Sequence, residues 1–345
     1  MIPIQNIYYM LSYAFQVLNE QGYKNIATEQ FNNTGELMAA ILEKGIAIQL
    51  KRGLGKEYIP QTEALSSLRG KIDIAESIKT QSMLRKQLIC TYDEFSVNSI
   101  MNQIIKSTVE LLLRSNISKQ RKKNLRKLMV YFSEVDFIDS YTVNWNVQYN
   151  RNNQTYRMLI SICYLVVKGL LQTQSNGHTK LMDFLDEQRM CRLYEKFILE
   201  YYRKEFKNQI TANASQIPWQ LDNEENSMLS VMQSDIMLQS GEKVLIIDAK
   251  YYEHSTQVQF DKHTLHSGNL YQIFTYVKNK EYELREKDHT VSGMLLYAKT
   301  DEEIYPNNVY QMSGNQITVR TLDLNLPFDE IAGQLNTIAK THFDL

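Results

Sequence analysis

The sequence predicts a mixed α/β protein in two parts: a helical part carrying a β-rich excursion, then an α/β domain ordered helix, strands, helix, strand. Three observations carry that expectation. Apolar residues recur at helical spacing through most of the chain as far as Thr173. Between Lys51 and Ile74 the texture changes to short alternating pieces set among Gly53, Gly55, Pro60 and Gly70. Beyond Ile217, short apolar runs bounded by charge alternate with a single helical segment. At 345 residues the chain is long enough for two cores. Ser175-Asn176-Gly177-His178 is the best linker by composition, dividing 1–177 from 178–345.

Each element has its own warrant. Residues 5–19 keep helical periodicity just after Pro3, and 34–49 carry Leu37, Ile41 and Ile48 on one face, with Gly45 weakening the last turn. Lys56-Glu57-Tyr58-Ile59 and Lys71-Ile72-Asp73-Ile74 alternate as strands, so residues of about 46–75 are expected to form a projecting β-rich module. Helices follow over 98–113 and 119–132. The alternation of Thr142–Tyr149 predicts a strand, and an apolar helix follows over 158–173. An amphipathic helix is expected over 183–206, strands at 217–221, 228–238 and 243–250, a helix at 268–280, and strands at 291–298 and 316–322.

Bulk numbers exclude several classes. A net charge of −1 argues against coating nucleic acid with the whole surface, leaving local patches or a partner to make such contacts. The three cysteines, Cys90, Cys163 and Cys191, show neither disulfide nor zinc-ribbon spacing and suit a reducing cytoplasm. No signal peptide opens the chain, and no apolar run is long enough to span a bilayer, so no membrane partner is expected. Gly53-Leu54-Gly55-Lys56 lacks the spacing of a phosphate-binding P-loop, and no G-x-S-x-G elbow is present.

The chemistry concentrates in Val244-Leu245-Ile246-Ile247-Asp248-Ala249-Lys250, an apolar strand ending in an acid and a lysine. Side chains alternate along a strand, so Asp248 and Lys250 share a face. Asp235 lies 13 residues earlier. Two carboxylates and a lysine at a strand end suit divalent-metal hydrolysis of a phosphodiester: Asp235, Asp248 and the carbonyl of Ala249 can hold Mg²⁺, while Lys250 orients water and the scissile phosphate. Gln272 and Tyr276, four apart, share a helix face while Ile273, Phe274 and Val277 turn to the core. Glu195, on the helix before the strands, is a weaker candidate ligand. His254, His263, His266 and His289 cluster late, but no cysteine or acid completes a zinc site. Arg114–Lys127 holds seven basic residues and no acid, a solvated helix face or a surface for phosphates or an acidic partner.

The D-(13 apart)-D-x-K spacing resembles that of the PD-(D/E)xK nucleases, and the Gln-x-x-x-Tyr pair resembles their RecB-like branch. The resemblance sharpens over the whole chain. Ile2-Pro3-Ile4-Gln5-Asn6-Ile7-Tyr8-Tyr9-Met10-Leu11, Lys51-Arg52-Gly53-Leu54, Gly70-Lys71-Ile72-Asp73, Asn102-Gln103-Ile104-Ile105-Lys106-Ser107-Thr108, Ile247-Asp248-Ala249-Lys250-Tyr251-Tyr252 and His266-Ser267-Gly268-Asn269-Leu270-Tyr271-Gln272 resemble the McrC family of McrBC restriction systems. That resemblance implies a restriction-endonuclease-like domain in 178–345 and a docking domain in 1–177 that stimulates a hexameric, McrB-like AAA+ GTPase. The 46–75 module would reach into the partner ring. It also implies cleavage of double-stranded DNA, with the modified cytosine read mainly by the partner, and catalytic positions at Asp235, Asp248 and Lys250. A nuclease-inactive activator of the GTPase and a stand-alone nuclease of the same fold are the rival readings.

Overall fold

In the computed structural model the chain forms two compact units, Met1–Ala27 with Leu185–Leu345, and Thr28–Phe184. The structure describes residues 2–15, 18, 23, 26, 29, 31–139, 142–151, 153–175, 187–222, 228–252, 257–259, 262–299 and 305–345. Helix α1 (Ile4–Ala14) opens the chain and belongs to the first of these units. The expected division at residue 177 is therefore corrected at the N-terminus, where 1–27 group with the C-terminal residues. The linker around Gly177 lies outside the described residues apart from Ser175.

The Thr28–Phe184 unit is helical with one small sheet. It comprises α2 (Thr34–Arg52), β1 (Glu57–Leu65), β2 (Lys71–Asp73), α3 (Ile74–Lys79), β3 (Leu88–Ser96), α4 (Ile100–Arg114), α5 (Lys119–Met129) and α6 (Tyr156–Ser175). Asn33, Ser99 and Ser118 cap α2, α4 and α5 by accepting a backbone N–H of the first turn. The sheet is antiparallel with order β1-β3-β2, β1 and β3 pairing along their whole length from Glu57↔Ser96 to Leu65↔Leu88. Gly70 turns the chain into β2 at φ +69°, where an added Cβ would stand 2.3 Å from the Thr91 carbonyl oxygen. Only glycine fits both the dihedral and the space.

A buried polar knot roots the sheet in the helices. Tyr156 Oη accepts the Gly55 amide at 2.7 Å and donates to Asn102 Oδ1 at 2.8 Å. Asn102 Nδ2 donates to the carbonyls of Gly55 and Val97 at 2.9 and 2.8 Å. The loop backbone beside β1 and β3 thus finds partners away from water, as buried main-chain groups require. Beyond the root the module is exposed and apolar at Tyr58, Leu68, Ile74, Ile78, Met83, Leu84 and Phe95.

The expected module of 46–75 is shifted. Residues 46–52 continue α2 because Gly45 is buried and helical, and β3, which pattern reading passed over, completes the sheet. Thr142–Tyr149 keeps its alternating burial but joins no strand, so the strand expected there is absent. Its alternation reflects packing, with Val143 buried and Trp145 edge-on to Tyr164 at 5.2 Å.

The other unit continues with α7 (Glu187–Glu205), β4 (Thr211–Asn213), β5 (Gln216–Ile217), β6 (Met232–Gln233), β7 (Ile236–Ser240), β8 (Lys243–Lys250), β9 (Gln257–Gln259), β10 (Lys262–Thr264), α8 (Ser267–Glu283), β11 (Thr290–Ala298), β12 (Asn308–Met312), β13 (Asn315–Leu322) and α9 (Phe328–Phe343). Its main sheet has the order β12-β13-β11-β8-β7-β4. Strands β8, β11 and β13 run parallel, and β12, β7 and β4 pair antiparallel with their neighbours. Strand β11 lies in the middle and is buried from Val291 to Ala298, as a strand covered on both faces must be. Helix α8 packs Ile273, Tyr276 and Val277 onto Val244, Ile246, Val291 and Leu295. Gly293 permits this approach: a Cβ there would sit 2.8 Å from Ile273, 2.8 Å from Ile317 and 2.9 Å from Val277.

Helix α1 is clasped to this unit by aromatic rings. Tyr13 meets Phe197, Tyr201 and Phe328 at centroid distances of 5.7, 5.2 and 5.7 Å, and Tyr9 stacks on Phe328 at 4.5 Å. Asn6 Nδ2 donates to the carbonyls of Leu324 and Leu326 at 2.8 Å each. The helix expected to reach Asn19 ends at Ala14, capped by Phe15. Among the described residues, no helix is long and apolar enough to cross a membrane.

Candidate active site

The register of β7 and β8 brings the two acids together. Ile236 pairs with Ile247, and one further residue along the ladder sets Asp235 opposite Asp248. There β7 ends, so the Ala249 amide has no backbone acceptor on that side, and Asp235 Oδ2 takes its proton at 2.9 Å. Asp235 also acts on the Asp248 carboxyl, which is only 1% exposed.

Alternation along β8 places Asp248 and Lys250 on the face that Val244 and Ile246 turn to α8. Lys250 Nζ lies 2.9 Å from each Asp248 carboxylate oxygen; its hydrogen bond goes to Oδ1, and the buried Oδ2 has no hydrogen bond. Nζ also donates to Gln272 Oε1 at 3.4 Å. Gln272 Nε2 in turn donates to Tyr276 Oη at 2.9 Å, which fixes the amide so that its oxygen faces the lysine. Asp235, Asp248, Lys250, Gln272 and Tyr276 therefore form one contiguous cluster.

The charges in the cluster are unbalanced. Burial pushes the Asp248 carboxyl up to about 7; Lys250 opposes the rise, and Asp235 reinforces it by like charge and a hydrogen bond. Burial opposes protonation of Lys250, but the Asp248 charge and hydrogen bond hold its ammonium above the ordinary value. Glu195 belongs to the same field: burial raises its carboxyl, Asp235 raises it further, and Lys250 pulls it down. Periodicity alone could not single out Glu195, because helix glutamates are common. Cys191, one turn earlier on α7, donates to Glu195 Oε1 at 3.1 Å and lies 3.9 Å from the Ala249 carbonyl oxygen. Burial, then Glu195, pushes its thiol up to about 12, which makes it a poor nucleophile.

This donor set fits a hard divalent cation. Two carboxylates act on each other in a buried place, one Asp248 oxygen has the Lys250 ammonium at 2.9 Å but no hydrogen bond, and the Ala249 carbonyl follows in the chain. Among the described residues, no three His, Cys, Asp or Glu side chains gather as a metal cage. Main-chain and water oxygens would have to complete the shell, as suits Mg²⁺ better than Zn²⁺. Of the late histidines, His266 is the N-cap residue of α8, His289 lies just before β11 and His263 falls on β10, while His254 lies outside the described residues.

Beside the cluster, Asn269 receives Tyr252 Oη at 3.3 Å and donates to Tyr297 Oη at 2.9 Å. This buried link between α8, β11 and the residues after β8 was not apparent from residue spacing, because it joins three separate segments.

Fold and site together define the class: a mixed α/β protein that presents a carboxylate pair and a lysine at the end of a central parallel strand. The chain belongs to the family described as McrBC 5-methylcytosine restriction system component, whose profile matches residues 5–298. It is 30% identical over 331 residues to the type IV methyl-directed restriction enzyme EcoKMcrBC of Escherichia coli (strain K12), covering 94% of this chain and 93% of the relative. Among solved structures, a half-complex from the tetradecameric assembly of Thermococcus gammatolerans McrB AAA+ hexamers with bound McrC is 18% identical, covers 97% of this chain and 76% of that one, and gives a TM-score of 0.47. The Thermococcus gammatolerans McrBC complex is 20% identical over 59% of each chain, with a TM-score of 0.42.

Proposed function

We propose that this chain is the DNA-cleaving subunit of a GTP-dependent restriction complex, with a PD-(D/E)xK active centre and an McrB-like AAA+ GTPase as partner. The observation that carries the reading is the confrontation of Asp235 and Asp248 across β7 and β8, with Lys250 bonded to Asp248. Asp235, Asp248 and the Ala249 carbonyl would hold Mg²⁺. When bound, that ion supplies charge neutralisation on the phosphoryl oxygens and a lowered pKa for the attacking water.

The chain's own residues do the rest. Lys250 holds the scissile phosphate and orients water beside it, and the burial of Asp248 keeps bulk water from screening the pair. Gln272 and Tyr276 are positioning residues, since their contacts run to Lys250 and to each other. Membership of a 5-methylcytosine restriction family supports double-stranded DNA as substrate, with modification sensed mainly by the partner. Partner docking is supported by the exposed apolar side chains of the β1-β3-β2 module, more than a solitary surface normally shows.

The decisive experiment is Asp248→Ala in the reconstituted complex. Cleavage should fall at least a thousandfold while stimulation of the partner's GTPase persists, because the substitution removes a ligand from one unit only. Wild-type chain that cuts freely without GTP or partner would favour a stand-alone nuclease. Wild-type complex that never cuts, yet stimulates GTP hydrolysis, would leave only an activator. Charge reversal of Lys51 and Lys56 should weaken ring docking first, measured by co-sedimentation.

A further inference from the structure

The basic run between Arg114 and Lys127 is sorted by the fold into an inner and an outer set. Arg121 turns inward, 12% exposed, and its guanidinium reaches Glu43 at 2.8 Å, Glu36 at 3.4 Å and Glu29. Asn124 donates to the same Glu43 at 2.9 Å, and Leu125 of the same helix is fully buried. The glutamates of α2 that could neutralise the helix are thus consumed on its inner side. Arg114 is paired with Glu110.

The outer set is Lys119, Lys122, Lys123, Arg126 and Lys127, spaced i, i+3, i+4, i+7 and i+8, which is a single face of α5. Among the described residues none of these five side chains makes a hydrogen bond or ion pair. Lys44 of α2 is exposed and lines a shallow groove with Glu43, Asn124, Lys127 and Leu128; Glu43 is already taken by Arg121 and Asn124, so Lys44 adds a cation on a second helix.

We propose that this ridge on α5 grips the phosphate backbone of duplex DNA, a contact additional to the carboxylate cluster. The proposal rests on DNA being the substrate of that cluster. From Lys119 to Lys127 the ridge runs about 12 Å, a length over which a duplex presents about seven phosphate charges. An acidic protein surface is the weaker occupant, because protein interfaces are depleted of lysine and centre on apolar side chains, whereas the outer face of α5 between Lys119 and Lys127 presents cations, the exposed Val130 and Tyr131 lying beyond its end. In a chain of net charge −1, segregation of unpaired cations is the way to obtain a polyanion site without coating the surface.

The test is binding of the full-length chain to a fluorescent 30-base-pair duplex by anisotropy, in EDTA to prevent cleavage, across a salt series. The triple variant K122E/K123E/R126E should bind at least tenfold more weakly at about 0.1 M salt, with the slope of log K against log salt reduced by about 2–3. Circular dichroism should show an unchanged melt, since all three side chains lie on the outer face. A control, K207E/K287E/K340E, makes the same charge change on other exposed lysines and should bind nearly as wild type. Equal loss in both triples, no loss in the first, or no salt-dependent binding by the wild type would overturn the proposal, the second favouring an acidic protein partner. Asp248→Ala separates the two readings: it should abolish cleavage and keep the duplex affinity, whereas the ridge variant loses affinity with its cleavage centre intact.

Discussion

Asp248 is held where a carboxylate is least comfortable, buried, facing another acid and compensated by one lysine. Such an arrangement stores repulsion that a divalent cation relieves. Millimolar Mg²⁺ should therefore raise the melting temperature of the wild-type chain, by roughly 2–4 °C for each kcal/mol of binding. Asp248→Asn should remove that response in a thermal-shift titration; an identical shift in the variant would place the ion elsewhere. Tyr276→Phe deletes only the acceptor of the Gln272 amide, so cleavage should fall about tenfold while the cation response stays. Of the cluster, Asp235, Asp248, Lys250, Gln272 and Tyr276 were legible because strand and helix periods dictate which side chains share a face. Glu195 was only a weak candidate and Asn269 was not singled out, since their relevance depends on which segments meet, and a residue's neighbours across a fold leave no local pattern.

At the scale of elements, close approach of helix and sheet positions the cluster. Gly293→Val would drive a branched side chain into Ile273, Ile317 and Val277, so α8 must lift and carry Gln272 and Tyr276 with it. The cost should be about 3 kcal/mol, read as a lowered urea midpoint, with loss of cleavage beyond what instability explains. Asn102→Ala would unpair the carbonyls of Gly55 and Val97 and the Tyr156 hydroxyl, costing about 2–3 kcal/mol. That loss should appear as faster amide exchange at the root of β1 and β3 while β8 and β11 keep their protection. Equal deprotection of both units would mean that they unfold as one. Strand β3 was missed because its pairing with β1 spans a long sequence separation, and Thr142–Tyr149 was misread because alternation reports burial of every second residue, whether or not a ladder exists.

For the whole molecule, the chain leaves the unit it begins in and returns to it at Leu185. The N-terminal helix contributes Tyr9 and Tyr13 to an aromatic cluster with Phe197, Tyr201 and Phe328, and burial with the Glu205 hydrogen bond holds the Tyr13 phenol protonated. Tyr13→Ala should destabilise this unit by about 3 kcal/mol, lowering its calorimetric transition while that of Thr28–Phe184 stays in place; movement of both would deny their independence. Local order in the amino acids determined the mixed α/β class, the strand ending in Asp248 and Lys250, and the helix face bearing Gln272 and Tyr276, because these depend on periods of two and 3.6 residues. Tertiary structure alone decided that residues 1–27 join the C-terminal unit, that Glu195 enters the field of Asp235, and that Arg121 is consumed by glutamates while five neighbours find no partner among the described residues. Those outcomes depend on which distant surfaces are complementary, and the free energy of such a match belongs to no single stretch of chain.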